Sequence, residues 1–247
     1  MDKLIYTAMT GASHVLQQQA SVSENLANTN TPGFRATLNT FRAVPLVGDG
    51  LPTRAFVVDS TAGFDLTPAA FQPTGRPLDV AVNGTGWLAV QGADGKEAYT
   101  RNGSLQISSN GVLQTRSGQN VMGDGGPITI PPGTQLTFAK DGTISTVPEG
   151  PLATSVVVVG RLKMVNPDPA QLERSGDGMF RMKDGSAAPS DVKVEIAPGN
   201  LEGSNVSTVE MMVNMISLAR KFDLQMKMLT SADNNAKQAS SIMNIAG

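Results

Sequence analysis

The apolar residues at the start of the chain follow the period of an α-helix. In residues 3–28 they recur every three or four positions. The stripe consists of Ile5, Ala8, Ala12, Val15, Val22 and Leu26. The opposite face carries mainly Gln, Ser, Thr and Asn, a pattern that suits a helix surrounded by other helices. We therefore predict an N-terminal helix, about 40 Å long at 1.5 Å per residue, that packs against other helices.

A polar break, NLANTNTPGFR, ends this helix. Pro32 disfavours a helical conformation at the residue before it, and Gly33 tolerates a positive φ. Residues 36–75 are then interrupted by Pro and Gly, with one credible strand at Ala55–Asp59. We interpret this segment as an extended arm or connector.

From residue 76 to residue 198 the pattern changes to the two-residue alternation of β-strands. Short runs such as LDVAV, WLAVQ, EAYTR and VKVEI are separated by turn residues. The whole chain contains nine Asn-Gly or Asp-Gly pairs, which favour type I′ hairpin turns because both central residues tolerate a positive φ. The density of these pairs predicts antiparallel hairpins rather than βαβ units.

The last segment, residues 207–244, again has the helical period. Ser207-Thr208-Val209-Glu210 is a capping box, which marks the start of a helix. Its apolar stripe includes Met212, Met215, Ala219, Phe222, Met226 and Leu229. This predicts a helix about 57 Å long.

Together these patterns predict an α+β fold. Long N- and C-terminal helices form a coiled-coil-like layer, and a central antiparallel all-β domain is inserted between them. The predicted division is an N-terminal helix in 1–35, the connector in 36–75, the β-domain in 76–200 and the C-terminal helix in 201–247.

Two terminal helices alone would share only a thin apolar seam. Further apolar positions widen both stripes, namely Leu4, Met9, Leu16, Val209, Val213 and Ile216. Copies of the same chain or close relatives would cover this surplus. The predicted assembly interface consists of Ile5, Ala12, Val15, Val22, Leu26, Met212, Met215, Ala219, Phe222, Met226 and Leu229.

Composition and charge exclude several classes of function. The net charge is −2 with the two signs interspersed, which argues against nucleic acid or an anionic membrane as a partner. The chain has no cysteine, so it forms no disulfide and uses no thiolate chemistry. No stretch approaches the roughly 18 apolar residues of a spanning helix. The N-terminus does not have the pattern of a secretory signal, so we expect a cytoplasmic chain or one exported without a cleavable signal.

Three motifs that suggest chemistry have simpler interpretations. Gly84-x-Gly86-x-x-Ala89 is similar to a dinucleotide-binding fingerprint, but another strand follows it where a helix is needed. The only histidine, His14, has no partners for a metal site or a triad. The Asp-Gly pairs do not form a calcium loop. We therefore predict no catalytic, cofactor-binding or metal-binding residues, and no enzyme.

Three segments of the chain resemble the rod and hook family of flagellar axial proteins. They are the N-terminal NLANTNTPGFR, the central block RPLDVAV through YTRNGS, and the C-terminal LEGSNVSTVE with its helix. They occur in the family's order and cover both ends and the middle of the chain. Within the family, the opening MDKLIYTAMTGA and the short central domain are similar to the proximal-rod type. The distal-rod type is the alternative.

The resemblance implies a structural subunit of the basal-body rod, which polymerises helically and transmits torque from motor to hook. Its implied partners are copies of itself, other rod proteins and the flagellar type III export apparatus, and its implied place is the rod across the periplasm. The turn that joins the helices to the β-domain would consist of Asn28, Pro32, Gly33, Phe34, Ser204, Asn205 and Val206. A secreted β-rich binding module, oligomerised by its helices, remains the alternative from another class.

Overall fold

The computed structural model describes residues 2–45, 55–148 and 155–245, which divide into two compact units. The first unit combines residues from 1–29, 35–65 and 206–247, and the second combines residues from 30–34 and 66–205. The two units therefore alternate along the chain.

The first unit consists of two helices and a β-hairpin. Helix α1 is Asp2–Ala27, helix α2 is Thr208–Ile245, and strands β1 (Thr37–Pro45) and β2 (Ala55–Phe64) pair antiparallel. Helix α1 ends where side chains take over its last carbonyl groups. Asn28 Nδ2 donates to the Glu24 carbonyl at 2.9 Å, and Thr29 Oγ1 donates to the Leu26 carbonyl at 3.0 Å.

Helix α2 begins as the capping box predicts. The Glu210 amide donates to Ser207 Oγ at 3.4 Å, and the Met211 amide donates to the Ser207 carbonyl at 3.0 Å. Both helices end within one residue of the predicted limits at their far ends, Ala27 and Ile245.

The second unit, called the β unit below, is built from short strands. They are β3 (Phe71–Pro73), β4 (Val80–Asn83), β5 (Trp87–Gln91), β6 (Glu97–Thr100), β7 (Leu105–Ile107), β8 (Leu113–Thr115), β9 (Asn120–Gly123), β10 (Gly126–Pro127), β11 (Thr134–Phe138), β12 (Thr143–Pro148), β13 (Val157–Arg161), β14 (Met164–Val165), β15 (Leu172–Arg174), β16 (Phe180–Met182), β17 (Glu195–Pro198) and β18 (Asn200–Glu202), with a 3₁₀ turn at Pro169–Gln171.

These strands form one large sheet and three smaller ones, and every pairing is antiparallel. The nine-stranded sheet has the order β15-β16-β6-β5-β9-β8-β7, with β10 on β9 and β14 on β5. The others are the three-stranded sheet β11-β12-β13 and the pairs β17-β4 and β18-β3. The core between them is aliphatic, with Val80, Val90, Leu105, Leu113, Ile144 and Leu162 among its buried members.

The turn prediction for the Asn-Gly and Asp-Gly pairs is confirmed for most of them; Asp49-Gly50 lies outside the described residues, and Gly103 and Gly125 have no positive φ. Six of their glycines have a positive φ, at Gly84, Gly95, Gly111, Gly142, Gly178 and Gly185. Antiparallel hairpins such as β5–β6, β7–β8 and β11–β12 follow from them.

The predicted fold class was wrong in its description of the helices. It gave the two helices the main place in the fold, whereas the described residues contain two helices, of 26 and 38 residues, beside eighteen strands. The chain is mostly β, with a large central all-β region. The helices also do not make a layer of their own, because the β1–β2 hairpin belongs to the same unit.

The segment read as a connector is more structured than its sequence indicates. Where one strand was predicted at Ala55–Asp59, residues 36–75 contain β1, β2 and β3. The four-part division at residues 35, 75 and 200 remains a proposal about the organisation of the chain.

Candidate functional site

The two helices run antiparallel and bury small residues where they meet. A side chain at Gly11 of α1 would touch the Gln225 side chain of α2 at 3.2 Å, whereas Val22 and Leu218 line one groove further along. The buried apolar residues of this unit's helices are Ala8, Ala12, Val15, Leu218 and Ala232. Small side chains permit this close approach.

The predicted interface residues divide into three groups by burial. Ala12 and Val15 are buried within the unit. The half-buried residues are Ile5, Val22, Leu26, Met215, Phe222 and Leu229. Met212, Ala219 and Met226 are exposed. The unit thus covers one side of the predicted stripe and leaves the other side of α2 open.

A second apolar face of α2 lies in the open. Val209, Val213 and Ile216, at positions i, i+4 and i+7, are 74%, 60% and 57% exposed. Met9 and Leu16 of α1 are also more than half exposed. Contiguous exposed apolar faces of this kind mark interaction sites in soluble proteins.

A polar contact fixes the hairpin to α1. Asn25 is buried, and its amide exchanges two 2.9 Å hydrogen bonds with the backbone of Thr37, one from Nδ2 to the carbonyl and one to Oδ1 from the amide. Asn39 Nδ2 donates to Ser21 Oγ at 2.5 Å. These contacts set the start of β1 against the end of α1, so residues 25–35 do more than end a helix.

We call the turn predicted to join the helices to the β-domain the signature turn. In the second unit, several chain segments that are distant in sequence meet at this turn, and we call this meeting point the crossing. The Gly33 amide donates to the Glu202 carbonyl at 2.8 Å, and the Asn205 amide donates to the Phe34 carbonyl at 3.4 Å. Gly33 has φ +70°, and a Cβ there would lie 2.3 Å from the Arg101 carbonyl carbon. Phe34 is buried, with the Arg174 guanidinium 4.7 Å from its ring centre.

Asn205 makes a side-chain contact in addition to its backbone hydrogen bond. Asn205 Nδ2 also donates to the Thr67 carbonyl at 3.3 Å. Pro32, Ser204 and Val206 are half-buried. Asn28 belongs to the end of α1, as described above.

Glu202 is the centre of this crossing and was not predicted. Its side chain is fully buried. Its Oε2 pairs with Arg101 Nη1 at 3.1 Å, and its Oε1 accepts from the Ala69 amide at 2.9 Å. Arg101 also donates to the carbonyls of Val82 and Gly84 at 3.2 and 2.7 Å. Four segments distant in sequence therefore meet at one ion pair.

An aromatic group lies beside this pair. The Arg101 guanidinium is 5.5 Å from the ring centre of Trp87, which packs at 4.5 Å on Phe180. Tyr99 is buried nearby in sequence, and its hydroxyl accepts from the Ala188 amide at 2.7 Å. Burial raises the pKa of Tyr99 to about 12, which keeps the hydroxyl neutral.

The motifs that suggested chemistry are structural. Gly84 and Gly86 lie in a turn from β4 to β5, so no helix follows the glycines; β4 pairs with β17 rather than with β5. The His14 ring packs edge-on against Phe41 at 5.4 Å. Hydrogen bonds from Thr143 lower the pKa of Asp141, as those from Ser186 do for Asp184, which makes these carboxylates acceptors within their own turns.

The ranges 2–45, 55–148 and 155–245 contain neither a metal-binding cluster nor a membrane-spanning helix. No three His, Cys, Asp or Glu side chains there are grouped so as to hold a metal ion. Neither described helix has the length of apolar sequence needed to cross a bilayer.

Sequence reasoning missed the Arg101–Glu202 pair and the Asn25–Thr37 contact. Arg101 and Glu202 stand 101 positions apart, so no local period connects them. Their presence in two of the segments that resemble the axial proteins, YTR and LEG, was the available signal.

Three family models match the chain in sequence order. Residues 5–35 match the model for flagella basal body rod proteins, residues 81–146 match the D1 domain of the flagellar hook proteins FlgE/F/G, and residues 197–242 match the C-terminal region of the basal body rod FlgEFG proteins. The first and third include the two sides of the signature turn.

Full-length relatives agree with these matches. The chain is 48% identical to the flagellar basal-body rod protein FlgF of Salmonella typhimurium and to that of Escherichia coli K12, over all of each chain. A protein of the same name from Caulobacter vibrioides is 32% identical over essentially the full length. A basal-body rod protein named FlgG, from Buchnera aphidicola, is 29% identical over about nine tenths of each chain. The chain therefore belongs to the flagellar basal-body rod proteins of the FlgF type, a family of structural subunits and not of enzymes.

Proposed function

We propose that this rod subunit joins its neighbours through the terminal helices. The observation that supports the proposal is the exposed apolar face of α2, formed by Val209, Val213 and Ile216. A side chain of this kind gains about 1.5–3 kcal/mol on complete burial, so covering the face favours association.

The predicted interface residues have two parts in this arrangement. Ala12 and Val15 hold α1 against α2 within one subunit, whereas Met212, Ala219 and Met226 are available to a neighbour. The half-buried residues, including Phe222, would complete their burial on assembly. Each subunit then shares apolar interfaces with several other subunits. These interfaces make the rod stiff enough to carry torque from motor to hook.

The finer partners and place of the chain belong to the same proposal. Its neighbours are copies of itself and other rod proteins, and the rod that contains it crosses the periplasm. We further propose that the flagellar type III export apparatus delivers it without cleavage of a signal. The lack of cysteine suits such a passage, because no disulfide can form before assembly.

The test is to place a charge on the exposed face. Val213→Asp should abolish swimming and rod completion, because an aspartate would be buried without a partner at the interface. Phe222→Asp should do the same. The matched control is Asn234→Asp, which adds the same charge at an exposed polar position of α2 and should leave swimming intact.

The fluorescence of Trp87, the single tryptophan, separates assembly from folding. It lies in the β unit, so its emission should be the same in all three variants. Normal swimming by Val213→Asp would contradict the interface. A small closed oligomer of the purified chain, in place of a helically propagating one, would favour the β-rich binding module instead.

A further inference from the structure

The two edge strands of the three-stranded sheet β11-β12-β13 both border apolar, uncharged surface. Among the described residues, β11 and β13 are the outer strands and each pairs in this sheet only with β12. Edge strands expose unpaired N–H and C=O groups, and natural proteins usually protect them with charge, proline or a bulge.

The start of β13, together with Val156 just before it, is apolar on both of its faces. Val156, Val157 and Val158 are 65%, 52% and 65% exposed. Successive residues of a strand point to opposite faces, so neither face is covered at this edge. The register shift opposite Ile144 and Ser145 places a bulge only at Val159, beyond the three valines. The segment 155–160 has no charge and no proline, and the charged Arg161 lies at the far end of β13, so the valine end is a template for pairing with another chain.

The β11 edge borders an apolar groove with a volume of about 600 Å³. All five residues of β11 line it, and its other wall consists of Pro77, Leu78, Ile107 and Pro198. None of these residues is charged, and neither is any residue of the segment 155–160, SVVVVG. Five extended residues span about 17 Å, which is the length of β11 and of Ser155–Val159 alike.

We propose that the valine segment of β13 in one copy of this chain inserts into the β11 groove of the next copy. A groove covers both faces of an inserted strand, which a single flat contact would not do. Strands β11 and β13 run in the same direction, because each is antiparallel to β12. Copies related mainly by translation therefore continue the sheet by a parallel pairing.

This contact is heterologous: one edge of the sheet meets the other edge of the next copy. Such a contact propagates rather than closing on itself, unless its rotation forms a ring. The inference rests on the proposed function in assuming neighbouring copies in the rod. It adds a second contact, in the β unit, that is independent of the helix face of α2.

Engineered cysteines provide the test, because the natural chain has none. Val157→Cys is combined with Thr137→Cys, or with Gln135→Cys, both exposed on β11. Within one copy β12 separates the two strands by about 9.6 Å, beyond the reach of a disulfide. After oxidation of basal bodies, at least one double variant should give a ladder of dimers, trimers and higher cross-linked species, and the single variants should not.

Two results would overturn the inference. One is the absence of cross-links in basal bodies that contain the double variants. The other is dimer formation by Val157→Cys alone, which would indicate a symmetric β13–β13 contact. In both cases the chain is still in the rod, so the proposed function survives.

A matched pair of lysine variants decides the case in which the cysteine chains do not reach the rod. Val157→Lys should be lost from basal bodies, whereas Val192→Lys, at an equally apolar and 69% exposed site, should be incorporated normally. Trp87 emission confirms that both fold. Equal incorporation, or equal loss, of the two variants overturns the inference.

Discussion

Glu202 and Arg101 form an ion pair of 3.1 Å in which both side chains are almost completely removed from solvent, with exposures of 0% and 3%. Oε1 of Glu202 also accepts from the Ala69 amide, and the backbone carbonyl of Glu202 accepts from the Gly33 amide. The pair therefore organises the crossing at which residues 30–34 lie against the end of the β unit.

Glu202→Gln should destabilise the β unit by about 3–5 kcal/mol, because the Arg101 charge would stay buried without its carboxylate. Urea unfolding followed by Trp87 fluorescence measures the loss, and Trp87 lies 5.5 Å from Arg101. The control is Asp94→Asn, which removes a partly exposed carboxylate 3.3 Å from Arg181. It should cost less than about 1 kcal/mol. Equal midpoints for the two variants would contradict a central role for Glu202.

Gly33→Ala should destabilise the same unit by more than about 3 kcal/mol, because the turn has no room for a side chain. The new Cβ would lie 2.3 Å from backbone carbon of Arg101. Gly75→Ala is the matched control: Gly75 has φ +68° and no atom within 4 Å of the added Cβ. It should lose only the conformational cost, about 1 kcal/mol. Similar losses of unfolding free energy at both positions would show that the backbone around Gly33 can shift to accept a side chain.

Tyr99 should ionise only near pH 12 in the folded chain. The chain has two tyrosines, so Tyr6→Phe isolates Tyr99 in an ultraviolet titration. Its folded pKa of about 12 lies above the ordinary value of 10. The native state therefore keeps a proton that the unfolded chain has lost. The stability that the protonated Tyr99 hydroxyl contributes is complete below pH 10 and is lost as the pH rises through about 12.

The urea-unfolded form of the same variant provides the reference, with a midpoint of about 10. The folded spectrum is read immediately after a pH jump, before unfolding can contribute. A folded midpoint at the reference value would mean that the Tyr99 hydroxyl is solvated.

Local patterns predicted the elements well and their partners poorly. The capping box at Ser207 and the Asn-Gly and Asp-Gly turns depend on a few neighbouring residues, so the sequence alone located them. Strand β1, Thr37–Pro45, was missed because only its pairing with β2 makes it a strand. Because residues 36–75 were interpreted as a connector, the predicted fold class contained too few strands and gave the helices too much weight.

Burial was harder to predict than periodicity. The predicted stripe of α2 contains Met212, which is 51% exposed, and omits Leu218, which is buried in the unit. The run SVVVV favours a strand through its β-branched residues, whereas its position at a sheet edge depends on β12. Both distinctions arise from tertiary packing, which no window of adjacent residues contains.

The β unit begins and ends at one place. Its first strand pairs with its last, Phe71 with Glu202, and the Gly203 amide donates to the Ala70 carbonyl at 3.0 Å. A polypeptide can therefore lengthen, shorten or exchange the material between these two strands while the ends that receive it stay the same distance apart. Because β3 and β18 pair with each other, insertions or exchanges between them can change the size and surface of the β unit without a change in the segments that flank it.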